Sequence, residues 1–394
     1  MTIPAIRPAH FPYFPYEGFT FSLGRHDGEQ AWLSGHSGAT WDDGRQKMTV
    51  GGGMGEQATT MYEKIGTILA GAGLGFGDVV HIVENVTAAG LDSYPEADEV
   101  RRKVFGGHEP ALTTVIVDRL VRRAALIEVQ VTAHRGGGTT VTAGPSGRWR
   151  RTALTEAGGV VHLPTLLPLG EDGEVVAPGD FRGQYRYCLE RAGTLLAAAG
   201  LSLANVVKTV DYSTPATREV YPRTDRPRRE LLGPVHPAAA GILMTRMPVP
   251  GALVALDVTA SREPLELVNP GWARYDTLSY SPGVRAGRFL FMSGFAALDM
   301  ATQVALFPGD LAAQAEHAYG CILELLAHAG GSAEDLVETI EYVTPEGVPG
   351  YRAVAEVRGR LLRPPWPASV GAVCGGLLRP EFMLEVVPTA VLAP

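Results

Sequence analysis

The sequence predicts an α+β protein made of three tandem copies of one unit packed around a common centre. Three observations carry that reading. The first is internal repetition. Aligned on Gln57, Gln184 and Gln314, the chain places Gly73, Gly200 and Gly330 sixteen residues on, Tyr94, Tyr221 and Tyr351 thirty-seven on, and Pro110, Pro237 and Pro367 fifty-three on. The second is the order of segments, which each copy repeats. The third is geometric: one sheet with helices on one face leaves its other face bare, and the other two copies are the natural cover. The copies span 17–135, 148–262 and 274–394, after an N-terminal extension 1–16. Segments 136–147 and 263–273 are Gly- or Pro-bearing and read as linkers.

The second copy shows the elements in order. Asp180 reads as the N-cap. Phe181, Tyr185, Cys188, Leu189, Ala192, Leu195 and Leu196 then recur at helical spacing until Gly200 supplies the stop. Residues 205–214 alternate as a strand, a second helix runs to about Leu232, and strands follow in 238–247 and 251–260. Upstream, 159–175 reads as a β-hairpin turning at Asp172-Gly173.

Composition narrows the function classes. Of 394 residues 45% are hydrophobic and 19% charged, which suits a folded globular chain. A net charge of -8 disfavours a phosphate-backbone partner, so no nucleic acid is expected, and the basic run 226–230 reads as a solvated helix face. Three scattered cysteines fit a reducing cytoplasm. The start has no signal-peptide pattern and no 18-residue apolar run follows, so a cytoplasmic protein without membrane association is expected. No metal-ligand spacing occurs, and the glycine runs at 51–53 and 136–138 lack the lysine of a phosphate loop; neither metal nor cofactor is expected.

Quoted together, "YSPGVRAGRFLFMSG" at 280–294, "QATTMYEKIGTILAGAGLGFGDVVHI" at 57–82, and the closing strands "IEVQVTA" and "LEVVPTA" are specific. The chain resembles the RidA (YjgF-type) reactive-intermediate deaminase family, over essentially its whole length and three times. Members are typically homotrimers of a chorismate-mutase-like unit with active sites in clefts between subunits. The resemblance implies a pseudo-trimer around a central β-barrel within one chain, a monomer in solution with a dimer of it as the alternative.

In that family an arginine directly after Pro-Ala holds the substrate carboxylate. The first glutamate of the closing strand handles protons, and a tyrosine of the opening strand lines the cleft. Carried over, copy one has Phe21, Leu112 and Glu128; copy two has Arg150, Ala239 and Ala255; copy three has Tyr280, Ser369 and Glu385. No copy keeps the arginine, so hydrolysis of 2-imino acids loses its carboxylate anchor.

Strand alternation puts Glu385 on one face with Met383 and Val387, where desolvation raises an acid's pKa; a structural ion pair with Arg379 is the alternative. Glu128 shares its face with Leu126 and Gln130, as an exposed strand edge would. Ala255 cannot transfer protons. Tyr280 offers a phenol to the cleft or simply packs. Gly294, Ser369, Leu112, Phe21 and His36 are candidate substrate contacts; His36 follows the Ser34-Gly35 turn, as a second acid/base group or as an exposed loop residue. Glu84, Asp211 and Glu341 stand twenty-seven residues after the landmark glutamines, and read as ion-paired in each copy or gathered on the axis around a cation.

The expected protein is an acid/base enzyme using Glu385, Glu128 and Tyr280 on a small molecule. Its reaction would be hydrolysis, elimination or ring closure of a larger or less anionic metabolite, in specialised biosynthesis. A ligand-binding or scaffold protein is the alternative. A deaminase with a relocated arginine, Arg246 or Arg379, is the third reading, and ribonuclease activity comes last because of the acidic charge.

Overall fold

The computed structural model describes residues 2–393. Helices come in pairs, one pair per unit: α1 (Met54–Gly71) and α2 (Tyr94–Phe105), α3 (Phe181–Ala198) and α4 (Asp225–Leu231), α5 (Leu311–His328) and α6 (Arg352–Leu361). Asp180 caps α3 by accepting from Gly183 N at 3.0 Å, and Asp310 caps α5 through Ala313 N at 3.0 Å. Past the helix ends the chain turns at Gly73, Gly200 and Gly330, all at positive φ, a conformation that side-chain-bearing residues resist. No helix among the described residues is long and apolar enough to cross a membrane.

In unit 1 the sheet runs Gly24–His26, Gln30–Ser37, Ile127–His134, Val79–Thr87, Ala111–Val117. The last two strands are parallel, joined by a crossover through α2; the rest pair antiparallel. Units 2 and 3 repeat this core. Val206–Ser213 lies between Ala238–Leu243 and Ala255–Ser261, and Leu336–Val343 between Ala368–Val373 and Leu384–Val391. One sheet face packs on the unit's own helices; the other joins residues of all three units, among them Val83, Val210 and Ile340, in one apolar centre.

The landmark glutamines explain why the sequence repeats them. Gln314 donates to the Phe307 and Glu381 carbonyls at 3.1 and 2.8 Å and accepts from Met383 N at 2.8 Å. Gln57 and Gln184 make the same clamp onto Leu126 N and Leu253 N at 2.8 and 2.7 Å. Each thus ties its unit's first helix to the chain two residues before Glu128, Ala255 or Glu385.

Three expectations are corrected. The hairpin of unit 2 turns at Gly158-Gly159, since Ala157 pairs with Val160, and both glycines have the positive φ that a two-residue turn requires. Asp172-Gly173 instead tips a separate excursion closed by the Leu169↔Val175 bridge. The two linkers are partly sheet: Thr139–Thr142 and Leu265–Val268 add edge strands that pair with Ala153–Ala157 and Gly283–Ala286. The central β-barrel does not form, because no sheet among the described residues closes. Gly376–Leu377 of unit 3 pairs with unit 2, and Arg119–Leu120 of unit 1 with unit 3, but the unit 1 sheet ends at Ala111–Val117.

The axis between the sheets is polar at its matched positions. His81, Lys208 and Glu338 stand twenty-four residues after the landmark glutamines and line a cavity of about 50 Å³ together with Gln130 and Asp257. Gln130 Nε2 donates to Glu338, and the His81 and His162 rings stack at 4.6 Å. Burial pushes Asp257 up to about 6, against the pull of Lys208.

Removing one clamp leaves buried groups unpaired. Gln314→Ala is expected to lower unfolding free energy by about 1–3 kcal/mol in urea titrations; a loss within error of zero would show that the clamp does not anchor the closing strand.

Candidate functional site

The units join head to tail through hydrogen bonds at the Pro-Ala segments. Ser293 Oγ accepts from Ala239 N at 2.8 Å, and Gly294 N donates to the Ala239 carbonyl at 3.1 Å. Ser34 Oγ accepts from Ser369 N at 2.8 Å. Thr165 Oγ1 accepts from Thr114 N at 2.7 Å, and Thr165 N donates to the Leu112 carbonyl at 3.1 Å. The residue after each Pro-Ala therefore borders a cleft: Ala239 between units 2 and 3, Ser369 between units 3 and 1, Leu112 between units 1 and 2.

The 2/3 cleft encloses about 410 Å³ and brings together Glu385, Tyr280 and Gly294 of the predicted set. Glu385 lies on the strand Leu384–Val391, opposite Tyr342, and its side chain sits over Gly294 so closely that any Cβ there would collide with the carboxyl. Burial pushes the acid up to about 8, with Arg274 pulling the other way. Arg379 lines the cavity but makes no salt bridge with Glu385; its Nη1 donates to the Gln303 carbonyl at 2.7 Å. Arg274 donates to the Tyr280 hydroxyl at 3.0 Å, and its Nε is buried without a partner among the described residues. Burial raises the Tyr280 phenol. Arg246 is exposed and does not line this cavity.

The 3/1 cleft, about 180 Å³, collects Glu128, His36, Phe21 and Ser369. Two sequence expectations fail here. Glu128 is not on a strand edge: Ile127–His134 runs between Gln30–Ser37 and Val79–Thr87, and burial pushes its carboxyl up to about 7. His36 is not an exposed loop residue but part of the strand Gln30–Ser37, 3% exposed, and burial holds its imidazole down at about 3.

The 1/2 cleft, about 240 Å³, holds Leu112 and no acid at the catalytic position. The matching bridges Leu166↔Leu256 and Phe295↔Val386 identify Thr165 as the counterpart of Gly294 beside Ala255. Where unit 3 pairs a glycine with a glutamate, unit 2 pairs a threonine with an alanine, and no carboxyl group needs the space a glycine leaves. Counting back from the equivalent Ala157 and Ala286 at the hairpin ends makes Arg151, not Arg150, the counterpart of Tyr280. Arg151 donates to Thr114 Oγ1 at 2.9 Å and to the Tyr94 hydroxyl at 3.2 Å.

Residue-by-residue comparison with the Pro-Ala arginine overlooks a set of cleft arginines. Arg101, Arg228 and Arg358 stand forty-four residues after the landmark glutamines and line the three clefts in turn. Each binds its unit's buried acid: Arg101 to Glu84 at 2.6 Å, Arg228 to Asp211 at 2.5 Å, Arg358 to Glu341 at 2.8 Å. Tyr94, Tyr221 and Tyr351 donate to the same carboxylates. Burial opposes ionisation of Glu84, but Arg101 and the Tyr94 hydroxyl hold the carboxyl below its ordinary value. The acids are therefore paired within their own units and face the helices, not the axis. The identical offset was the signal for the arginines. Reading 226–230 as a solvated face concealed Arg228, which is 2% exposed.

The family comparison also finds three successive units. The family model described as Endoribonuclease L-PSP matches residues 19–135, 141–262 and 274–392. The 3-aminoacrylate deaminase RutC of Acinetobacter baylyi is 28% identical over 127 residues, 32% of this chain and 98% of that protein. Among solved structures, Rv2704 of Mycobacterium tuberculosis, a member of the YjgF/YER057c/UK114 family, is 25% identical, covering 33% of this chain and 100% of that one with a TM-score of 0.28. RidA from an Antarctic Psychrobacter is 24% identical over 29% of this chain and 90% of that one, with a TM-score of 0.27. With three successive matches accounting for most of its length, the chain belongs to the Endoribonuclease L-PSP family, the RidA/YjgF-type proteins, as three copies in one polypeptide.

Proposed function

We propose that the 2/3 cleft is an acid/base active site that hydrolyses an enamine or imine carrying an anionic group on a body larger than a small 2-imino acid. One observation carries the reading: a buried carboxylic acid, pushed up to about 8 by its burial, shares a cavity of about 410 Å³ with Arg274 and Arg379, neither of which forms a salt bridge among the described residues. The expectation of a less anionic substrate rested on the missing Pro-Ala arginine. Cations reaching the same cavity from elsewhere support a relocated anchor, with Arg379 in that role and Arg246 not. The name of the related A. baylyi deaminase supports the same bond type.

In the proposed reaction the Glu385 proton passes to the substrate's enamine carbon, leaving an iminium that water attacks. Collapse of the carbinolamine releases the carbonyl product and ammonia, and the carboxylate recovers its proton from the attacking water. Arg274 and Arg379 hold the anion and orient it. Endoribonuclease activity, the description carried by the family, finds little support in a chain of net charge -8.

Glu385→Gln is expected to lower kcat about 10²–10⁴-fold for ammonia release from enamine and imine acids generated in situ by an amino-acid oxidase, with binding retained. Unaltered turnover would sink the catalytic assignment and favour a binding or scaffold role. The acid form is the active one, so kcat should hold steady below about pH 8 and fall roughly tenfold per unit above it, since the proton is lost there. The same raised value means that the folded chain binds a proton the unfolded chain has released. Stability in denaturant titrations should therefore decline as pH rises from the ordinary carboxylate range to about 8, and Glu385→Gln should flatten that decline. Arg379→Ala should raise KM about tenfold or more, the loss expected for a charge-assisted hydrogen bond; an unchanged KM would exclude Arg379 as the anion's anchor.

A further inference from the structure

The 3/1 cleft contains a group that the 2/3 chemistry does not use. Lys64 of α1 stands where units 2 and 3 have Arg191 and Cys321, seven residues after the landmark glutamine. It is 1% exposed, lines the cavity of about 180 Å³, and forms no salt bridge among the described residues. A buried lysine with no counter-ion is costly unless it loses its charge.

Its surroundings pull both ways: the carbonyls and aromatic rings around Nζ suit an ammonium, whereas burial disfavours the charge, so a minority of molecules carry the neutral amine at pH 7. Nζ donates to the Ser37 carbonyl at 2.7 Å and also to the Ala39 carbonyl. The Tyr13 and Phe14 rings stand 5.8 and 5.9 Å from Nζ. A neutral amine has two N–H bonds and one lone pair, and two carbonyls use up both donors. The lone pair of the neutral form is then not engaged by those carbonyls, on a residue that lines the cavity. Burial pushes the ammonium down to about 8, with Glu128 opposing. Glu128 lines the same cavity, and Arg122 lies at its rim.

We infer that Lys64 is a Schiff-base nucleophile, and that the 3/1 cleft captures a small carbonyl compound of the 2-oxo acid class. Arg122 binds the carboxylate, Lys64 attacks the carbonyl carbon, and Glu128 relays protons. The carbon–nitrogen bond forms as the carbonyl π bond breaks, and one nitrogen proton passes through Glu128 to oxygen. The second nitrogen proton follows, the carbon–oxygen bond breaks, and water leaves, giving an imine with every atom accounted for. This inference stands on the 3/1 cleft alone and is independent of Glu385.

Reductive trapping tests it on the full chain. Incubation with pyruvate and sodium borohydride should put one carboxyethyl group in place of an amine hydrogen, a gain of pyruvic acid less water plus the two hydrogens of reduction, and peptide mapping should place it on Lys64 ahead of Lys47, Lys103 and Lys208. Lys64→Arg should abolish the adduct, and Glu128→Gln should slow its formation about tenfold or more. In Glu385→Gln, labelling should proceed as in the parent, which separates this inference from the 2/3 reading. No adduct, or an adduct spread evenly over the four lysines of the unaltered protein, would overturn it, whether or not the variants fold.

Discussion

Each sheet buries one face under its own helices, and the opposite face can leave water only against the other two units. That dependence organises the molecule. Val83, Val210 and Ile340 meet in a single apolar centre, and Tyr212 and Tyr342 share a hydrogen bond of 2.9 Å across a unit border. Because apolar area is the main driving force of folding, no unit completes its core alone. The clefts follow from the same constraint: they are the places where the edge of one sheet meets the opening turn of the next.

Cyclic closure gives the borders a common grammar, in which a hydroxyl from one unit receives the backbone N–H of its neighbour. Within that grammar the chemistry has separated. Ser-Gly turns leave room for Glu385 and Glu128, whereas the matching turn of unit 2 is Pro164-Thr165 and stands opposite an alanine, Ala255. The buried acid, arginine and tyrosine of each unit stay alike in all three, because they join the sheet to its helices and each ionised group needs its partner. Structure common to the copies is thus fold, and structure that differs is site.

Much of this was legible in the chain. Four landmarks at fixed offsets revealed the repetition, and helical spacing in 181–196 located α3. Alternation placed Glu385 on the inner face. The misreadings have physical causes. Two candidate turns lay close together, and only pairing at Ala157 and Val160 distinguishes Gly158-Gly159 from Asp172-Gly173. Glu128 and Gln130 looked like an exposed edge because a polar alternation does not tell solvent from a polar axis or a closed cleft. Arg228 sat among three surface-like neighbours, where composition masks a single inward side chain. The burial of Lys64 is not legible from its helix, because groups around Nζ, among them Tyr13 and Phe14, are distant in sequence.

The axial positions lead to a different kind of consequence. His81, Lys208 and Glu338 occupy one ring, each copy supplying a different charge type. A free-standing trimer of the third copy would gather three Glu338 carboxyls with no lysine to meet them, a cost that only mixed neighbours relieve. Each copy therefore depends on its neighbours for the groups that meet its own. Because complementary groups are divided among the copies, no copy carries the full set by itself, and the three are no longer interchangeable along the chain.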